Sequence, residues 1–339
     1  MAEKKNRCRI LKFCWTSIFS ILLFVACNDK EQDNKDCILL GFAFYPDVLF
    51  SSNPENFVNT YDSEIMLIHF GDNVPWSFLQ QCDDLSCASQ DFKDLMSSLA
   101  THTSLHQGIV YLSVSPLNND RNAPSNNWNN KPPPAGNFAD EELRSLYKKW
   151  VSYLVQTFQP AYISQGVEIN LYYNDHPGDF ANLISLMKEI YQTTENVVGP
   201  SVQWEFYKQQ INNGSDLEIP FGEMGSGFAF STYPHILNPS STAPVTIAHY
   251  DFEAYGINID KPLFIAECGI QHQSQESMLN ALFSLNHLEG VIWFFKEDAD
   301  EFFSQLEGYP YTAFMNSGLY TDNGEKNPGA YVWEEASCW

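Results

Sequence analysis

Basic residues are scarce in this sequence. Its 339 residues include 18 lysines and arginines but 42 aspartates and glutamates, so the formal net charge at pH 7 is −24. A strongly negative surface repels polyanions, which argues against nucleic acid and anionic membrane surfaces as partners. The charge is compatible with a neutral or cationic ligand.

Sequence motifs for common cofactors are missing as well. No G-x-G-x-x-G follows the first apolar run, and no P-loop pattern is present, which argues against a nucleotide-binding fold. The sequence also has no CxxC pair and no cysteine–histidine spacing of the zinc-binding kind. We therefore expect a protein that needs neither a metal nor an organic cofactor.

The N-terminal apolar stretch, Phe13–Ala26, is short for a membrane span, since a transmembrane helix needs roughly 20 residues. It follows a cluster of basic residues, and this order is typical of a signal peptide. The string FVAC is similar to a bacterial lipobox ending at Cys27, although Phe24 replaces the commoner leucine. We expect residues 1–26 to be a lipoprotein signal peptide. The alternatives are an ordinary signal peptide and an uncleaved anchor.

On this prediction the mature chain begins at Cys27, which carries the lipid. Residues 27–36 are polar and lack periodicity, which indicates a tether. The protein is then expected in the cell envelope, facing the periplasm or the outside. Its only contact with the membrane would be the N-terminal lipid.

The rest of the chain, residues 37–339, is expected to form one domain. Short apolar runs alternate with amphipathic helical patterns along its whole length, which predicts a parallel sheet with helices between the strands. At this length a (β/α)₈ TIM barrel is favoured over an open sheet. The eight predicted strands are CILLGFAFYP, EIMLIHF, QGIVYLSVSP, AYISQGVEINLYY, NVVGPSVQWEFY, GSGFAFSTYP, KPLFIAECGI and LEGVIWFFKE.

Export would allow the cysteines to form disulfides. Cys82 and Cys87 flank the short polar loop CDDLSC and form one candidate pair. Cys37 and Cys338 lie at the two ends of the domain, which a barrel brings together, so they form a second candidate pair. Cys268 is then a leftover buried thiol. Sequence alone does not determine this connectivity.

Two predicted strands end in a glutamate that follows an apolar run. Glu168 closes the fourth strand and Glu267 closes the seventh, so both side chains are expected at the C-terminal mouth of the barrel, where active sites lie. Two carboxylates facing one cleft suit acetal hydrolysis, one as acid and the other as nucleophile. The alternative is that each glutamate pairs with a basic residue and has only a structural role. Glu205 is a third strand-end carboxylate and is expected to support the other two.

A long loop rich in asparagine and proline, NNDRNAPSNNWNNKPPPAGN, follows the third strand. Long irregular loops in compact domains are often functional, and this one is predicted to lie at the same barrel mouth.

The string YISQGVEIN resembles the acid/base strand of clan A glycoside hydrolases, especially the family 53 endo-β-1,4-galactanases, where a GNEIN-like string occurs. KPLFIAECGI resembles the nucleophile strand of that clan, and NSGLYTDNGEKNPGAYVW resembles the ending of many such barrels. The resemblance implies Glu168 as acid/base and Glu267 as nucleophile. It also implies Trp293, in GVIWFF, as an aromatic floor beneath the sugar.

One residue departs from the pattern of the clan. An asparagine usually precedes the acid/base glutamate and bonds the 2-hydroxyl of the sugar, but Val167 stands there. The departure allows three interpretations: a sugar modified at C2, another residue doing the task, or reduced catalysis. Asn170 is a nearby amide whose direction the sequence does not fix.

Other candidates for sugar contacts come from strand ends and neighbouring loops. Tyr233, in STYPH, is positioned to keep Glu267 ionised through a hydrogen bond, and His235 follows it. The alternative is an ordinary rim aromatic with a surface histidine. His69 ends the second strand, where a histidine is more often a satisfied core residue. The complete set of candidate substrate-binding residues is Trp293, Tyr233, His235, His69, Trp76, Asn170, Tyr45 and Asp47.

The sequence therefore predicts a retaining glycoside hydrolase that acts on a β-galactan-like or β-mannan-like carbohydrate through a glutamate pair. The first alternative is a carbohydrate-binding surface lipoprotein with impaired catalysis, which Val167 favours. The second is a structural or adhesion protein, in which Glu168 and Glu267 would not share a cleft.

Overall fold

Eight parallel strands form one sheet in the computed structural model, which describes residues 38–44, 63–82, 84–297, 316–321 and 323–337. The order of the strands in the sheet is β4-β3-β2-β1-β8-β7-β6-β5. Ile163 of edge strand β4 pairs with Val197, in the segment that leads into edge strand β5, so the sheet forms a nearly closed barrel. The strands are β1 Leu39–Phe44, β2 Ile65–Phe70, β3 Ile109–Val114, β4 Tyr162–Ser164, β5 Ser201–Gln203, β6 Phe228–Thr232, β7 Leu263–Cys268 and β8 Leu288–Trp293.

In the described residues, α-helices lie between most consecutive strands, and the predicted single-domain (β/α)₈ barrel is confirmed. The α-helices of the described ranges are α1 Trp76–Gln81, α2 Gln90–Leu105, α3 Glu141–Phe158, α4 Asn170–Asp175, α5 Pro177–Thr193, α6 Trp204–Asn212, α7 Phe221–Met224, α8 His272–Leu282 and α9 Pro328–Ala336. Short 3₁₀ turns at Ile247–Tyr250 and Glu253–Tyr255 lie between β6 and β7.

Helix α3 shows how local sequence sets these elements. The side chain of Asp140 accepts hydrogen bonds from the backbone N–H groups of Glu142 and Leu143 and so caps the first turn. Apolar residues recur at helical spacing and are buried along one stripe, among them Trp150 and Leu154. The sequence pattern and the observed helix therefore agree.

Side chains along each strand alternate between two packed regions. Ile65 and Leu67 of β2 and Phe264 of β7 fill the interior of the barrel. Met66 and Ile68 of β2 instead join the larger core between strands and helices. This alternation has a period of two. The residues of a strand that face the interior therefore determine which residues at its end face the barrel mouth.

Two strand predictions extend too far toward the C-terminus. Strand β4 ends at Ser164, and Glu168 lies beyond it in a turn with φ 50°. Strand β5 ends at Gln203, whose side chain accepts from the backbone N–H of Phe206 and caps α6. Glu205 is therefore in the first turn of a helix and not in a strand. Both glutamates still lie beyond the C-terminal ends of their strands.

Cys82 and Cys87 form a disulfide, and Cys268 is a free, buried thiol. Across the ranges given above, no helix combines the length and the apolar character that crossing a bilayer would require. The predicted signal peptide and tether fall outside the described residues, as do Cys27, Cys37, Cys338, Tyr45 and Asp47.

Candidate functional site

An irregularity in β7 directs Glu267 into the barrel. Phe230 pairs with Ile265 and the next residue, Ser231, pairs with Glu267, so β7 carries one extra residue at this step. Ala266 already faces the interior, and strict alternation would turn Glu267 outward. The extra residue restores the inward direction, which is a common role of β-bulges beside functional sites.

Glu168 reaches the same region from the turn that follows β4. Its backbone has φ 50°, a left-handed conformation that is unusual for a residue with a long side chain. The Ser201 hydroxyl accepts a 3.0 Å hydrogen bond from its backbone N–H. Such backbone strain persists where the surrounding structure enforces it, often at functional sites.

Ser231 is a neighbour of both glutamates. Its hydroxyl donates a 2.7 Å hydrogen bond to Oε1 of Glu168, and its Cα is the sheet partner of Glu267. Paired residues of adjacent strands project to the same face, and their strands lie about 4.8 Å apart. The structure therefore brings Glu168 and Glu267 together at the C-terminal mouth of the barrel.

Tyr233 contacts the second carboxylate directly. Its phenolic hydroxyl donates a 2.5 Å hydrogen bond to Oε1 of Glu267. The ring lies edge-on to Phe294, with centroids 5.7 Å apart. A hydroxyl donor favours the ionised form of a carboxylate, so this contact suits a nucleophile.

Glu205 holds the backbone of Tyr233 in place. This buried carboxylate accepts hydrogen bonds from the backbone N–H of Tyr233, at 2.9 Å, and from the Thr232 hydroxyl, at 2.7 Å. It also accepts from Gln203 Nε2 and from His249 Nε2, both at 2.8 Å. Burial opposes its ionisation, but these donors, led by His249, hold the pKa of Glu205 below its ordinary value. Glu205 therefore contacts Tyr233 directly, and its predicted support of the other two glutamates stays a prediction.

Arg121, which sequence reasoning did not single out, lies beside Glu168. Its Nε is 3.5 Å from Oε2 of Glu168, and the whole residue is 7% exposed. It belongs to the long loop after β3 that the sequence marks as functional. The composition of that loop identifies the segment, but no periodicity identifies which side chain turns inward.

His69 is inward-facing at the end of β2. Its ring lies over Gly71, where an added Cβ would lie 2.4 Å from the His69 Nε2, so a larger residue at this position would displace the imidazole. Burial and the nearby charge of Arg121 lower the pKa of His69 to about 3. The imidazole is therefore neutral at the mouth of the barrel.

Two predicted aromatic contacts are wrong. Trp293 is fully buried and on the outward side of β8, where it packs edge-on to Trp333 and donates through Nε1 to the carbonyl of Ser317. Ile292, the residue before Trp293, faces the interior. Alternation therefore directs Phe294, the residue after Trp293, to the mouth. Trp76 is also fully buried, and its Nε1 donates to the carbonyl of Ser125.

The predicted role of Asn170 is corrected as well. Its side chain is fully buried. Its Oδ1 accepts from the backbone N–H of Gln203, and its Nδ2 donates to the Gln203 carbonyl and to Gln210 Oε1. The amide therefore ties α4 to β5 and is turned away from the cleft. Val167 is 1% exposed, so neither residue offers a polar group to a ligand.

His235 lies beside Tyr233, near the site. It lines a small recess with Tyr233 and Gln271, and its ring is within 3.1 Å of the carbonyl of Ala243. Burial lowers the pKa of His235. In the described part of the chain, no group of three metal-binding side chains is found.

Comparison with known proteins bears on the fold. No family model and no curated protein matches the sequence. Among solved structures, GH5_18 from Bifidobacterium longum subsp. longum ATCC 55813, a variant of which was solved with Manb1-4GlcNAc, is similar over 88% of this chain and 78% of its own, with 13% identity and a TM-score of 0.59. GH5_18 from Streptomyces cattleya, solved with GlcNAc, gives 14% identity, coverages of 88% and 79%, and a TM-score of 0.61.

Xylanase 10B from Thermotoga petrophila RKU-1, solved with xylobiose, is also similar, with 12% identity, coverages of 88% and 93%, and a TM-score of 0.55. At identities this low, the structural similarity establishes a shared barrel fold. The activity of this chain has to be argued from its own residues. The resemblance to family 53 stays a prediction.

Proposed function

We propose that this protein is a retaining glycoside hydrolase whose catalytic pair is Glu168 and Glu267. The observation that carries the proposal is the meeting of both residues at Ser231, which bonds one carboxylate and pairs in the sheet with the other. Retaining enzymes hold their two carboxyl groups about 5–5.5 Å apart. A separation of that order fits two side chains that share one neighbour.

In the first step, Glu267 attacks the anomeric carbon and forms a glycosyl ester while the bond to the leaving oxygen breaks. Glu168 gives its proton to that oxygen. In the second step Glu168 takes a proton from water, and the water oxygen displaces Glu267 from the anomeric carbon. Tyr233 supports the carboxylate of Glu267 through its hydrogen bond, and Phe294 is placed to contact the sugar.

A neutral β-linked mannoside is the substrate that we favour. The sequence suggests a β-galactan-like or β-mannan-like chain, and one structural neighbour was solved with Manb1-4GlcNAc. The formal net charge of −24 is compatible with neutral sugars. We also propose that Cys27 carries a lipid that holds the enzyme at the cell envelope, because the sequence around it resembles a lipobox. Replacing Cys27 with serine should release the protein from the membrane fraction.

The activity is tested with a panel of 4-nitrophenyl β-glycosides of mannose, galactose, glucose and xylose, together with Manβ1-4GlcNAc, β-mannan and β-galactan. We expect turnover of at least one of these substrates. Glu267→Gln should lower kcat by about 10⁴-fold or more, since the nucleophile is lost. Glu189→Gln is the matched control, because Glu189 lies near the surface and pairs with Lys148. Equal activity of Glu267→Gln and the native protein would exclude the proposal.

A second candidate function is carbohydrate binding without efficient turnover. It is favoured by the absence of a polar group at Val167, which is buried, and by the orientation of the Asn170 amide away from the cleft. Binding of Manβ1-4GlcNAc, measured by calorimetry, combined with no turnover of the panel would support this function over hydrolysis.

A further inference from the structure

Arg121 is a buried cation without a full set of partners. Its Nε lies 3.5 Å from Oε2 of Glu168, beyond ordinary hydrogen-bonding distance. Among the residues that the structure describes, that Nε has no hydrogen-bond partner. A buried guanidinium is costly unless it is compensated, so its placement beside one particular carboxylate calls for an explanation.

The guanidinium is held rigidly from its other side. Nη1 of Arg121 donates to the carbonyl of Asn118, at 2.8 Å, and to the carbonyl of Gly71, at 3.3 Å. The backbone of Arg121 has φ 58°, which is unfavourable for arginine. The loop thus keeps a strained conformation that aims the side chain at Glu168.

A second carboxylate anchors the same loop. Oδ1 of Asp72 accepts hydrogen bonds from the Ser125 hydroxyl, at 2.9 Å, and from the backbone N–H of Asn126, at 2.7 Å. Oδ2 of Asp72 accepts from Nδ2 of Asn126, at 2.8 Å. The loop is therefore tied to the end of β2 on the same side as His69, and the position of Arg121 is fixed before any substrate binds.

We propose that Arg121 is a positioning residue for acid catalysis by Glu168, an inference that rests on the proposed function. As the glycosidic bond breaks, Glu168 loses its proton to the leaving oxygen and becomes a carboxylate. The fixed positive charge beside Oε2 stabilises the negative charge as it develops, and such preorganised charge is effective in a site shielded from water. Ser231 holds the other oxygen of Glu168 in place.

This role predicts a dependence on the leaving group. A leaving group of low pKa departs without help from the acid, whereas an alkoxide needs the proton of Glu168. Loss of Arg121 should therefore slow the cleavage of poor leaving groups and spare good ones. A residue that only binds the sugar or supports the fold would affect both kinds of substrate equally.

The test measures kcat/KM for two β-mannosides, one of 2,4-dinitrophenol and one of 4-methoxyphenol, with native enzyme, Arg121→Met and Arg121→Lys. If the panel above identifies another sugar, the same two aglycones are used on that sugar. We expect Arg121→Met to lower kcat/KM by about 10- to 100-fold on the methoxyphenyl substrate and by under about 3-fold on the dinitrophenyl one. The larger loss is part of the acceleration that general acid catalysis supplies. Arg121→Lys retains the charge and should lose less on the poor leaving group.

Arg144→Met is the matched control, since Arg144 is similarly buried and pairs with Glu189 far from the glutamate pair. It should leave the ratio of the two kcat/KM values unchanged. Equal losses on both substrates in Arg121→Met would overturn the inference while the hydrolase function stands. If Arg121→Met does not fold, a native-like ratio in folded Arg121→Lys and Arg121→Gln overturns the inference. Absence of turnover by native enzyme on the whole panel would remove both proposals.

Discussion

The phenolic oxygen of Tyr233 lies 2.5 Å from Oε1 of Glu267. The same tyrosine is held by its backbone N–H, which donates to the buried carboxylate of Glu205. One residue therefore transmits the position of a structural carboxylate to the proposed nucleophile. Changes to the Tyr233 hydroxyl and changes to Glu205 should therefore have different consequences.

Tyr233→Phe should remove the hydrogen bond to Glu267 while preserving the ring packing on Phe294. We expect kcat to fall by about 10- to 100-fold, with equal effects on dinitrophenyl and methoxyphenyl substrates. The measurement is steady-state kinetics on both. Tyr172→Phe is the control, because Tyr172 is buried and its hydroxyl donates to Asp179, away from the cleft. A loss confined to the poor leaving group would contradict this role.

Glu205→Gln should destabilise the fold, because the substitution removes the negative partner of His249 and places an amide N–H₂ among four hydrogen-bond donors. The expected loss of unfolding free energy is about 3 kcal/mol, typical of breaking a buried pair. Urea denaturation measures it. Glu189→Gln removes the partly exposed ion pairs with Arg144 and Lys148 and should cost about 1 kcal/mol. Equal stabilities of the two variants would show that Glu205 does not anchor β6.

Stability should decline in acid partly because of His69. Its folded pKa of about 3 is below the ordinary histidine value of 6.5, so unfolding is accompanied by proton uptake between these two values. This contribution is fully present above about pH 6.5 and is lost as the pH falls toward 3, by about 1.4 kcal/mol per pH unit.

Denaturation of the native protein and of His69→Asn across pH 4–7 measures this contribution. The free energy of unfolding of the variant should rise relative to that of the native protein as the pH falls. His287→Asn is the control, since His287 is exposed and its φ of 59° suits asparagine. Parallel pH profiles for the native protein and His69→Asn would contradict the buried, neutral state of His69.

Trp293 and Phe294 should respond differently to substitution. Phe294→Ala is expected to raise KM by about 10-fold through loss of an aromatic contact with the sugar. Trp293→Phe should lower stability by about 1–3 kcal/mol, with KM almost unchanged, because the indole packs on Trp333. Kinetics and denaturation on both variants check this. A rise of KM only in Trp293→Phe would restore the role that the sequence assigns to the tryptophan.

The sequence predicts the barrel because eight apolar runs alternate with helical stripes, and local periodicity carries that information. It also places Glu168 and Glu267 at strand ends. It cannot reveal the extra residue in β7. One step along β6, from Phe230 to Ser231, matches two steps along β7, from Ile265 to Glu267, and this mismatch exists only once the strands pair. The direction of Glu267 depends on that step.

The wrong assignment of Trp293 has a related cause. The resemblance of GVIWFF to the clan implies tryptophan as the aromatic floor, whereas strand alternation in β8 turns it outward beside Trp333. Arg121 was missed because irregular loops have no period. Its position depends on hydrogen bonds to Gly71 and Asn118 that form only in the folded loop. Long-range pairing decides both cases.

Trapping of the glycosyl-enzyme tests the central claim most directly. The native protein is incubated with 2-deoxy-2-fluoro-β-mannosyl fluoride, or with the same reagent of whichever sugar the panel identifies, and the labelled peptide is sequenced by mass spectrometry. A retaining enzyme with this geometry should carry one fluoroglycosyl ester, on Glu267. A label on Glu168 or on any other residue, or turnover that proceeds with inversion and no label, would contradict the account.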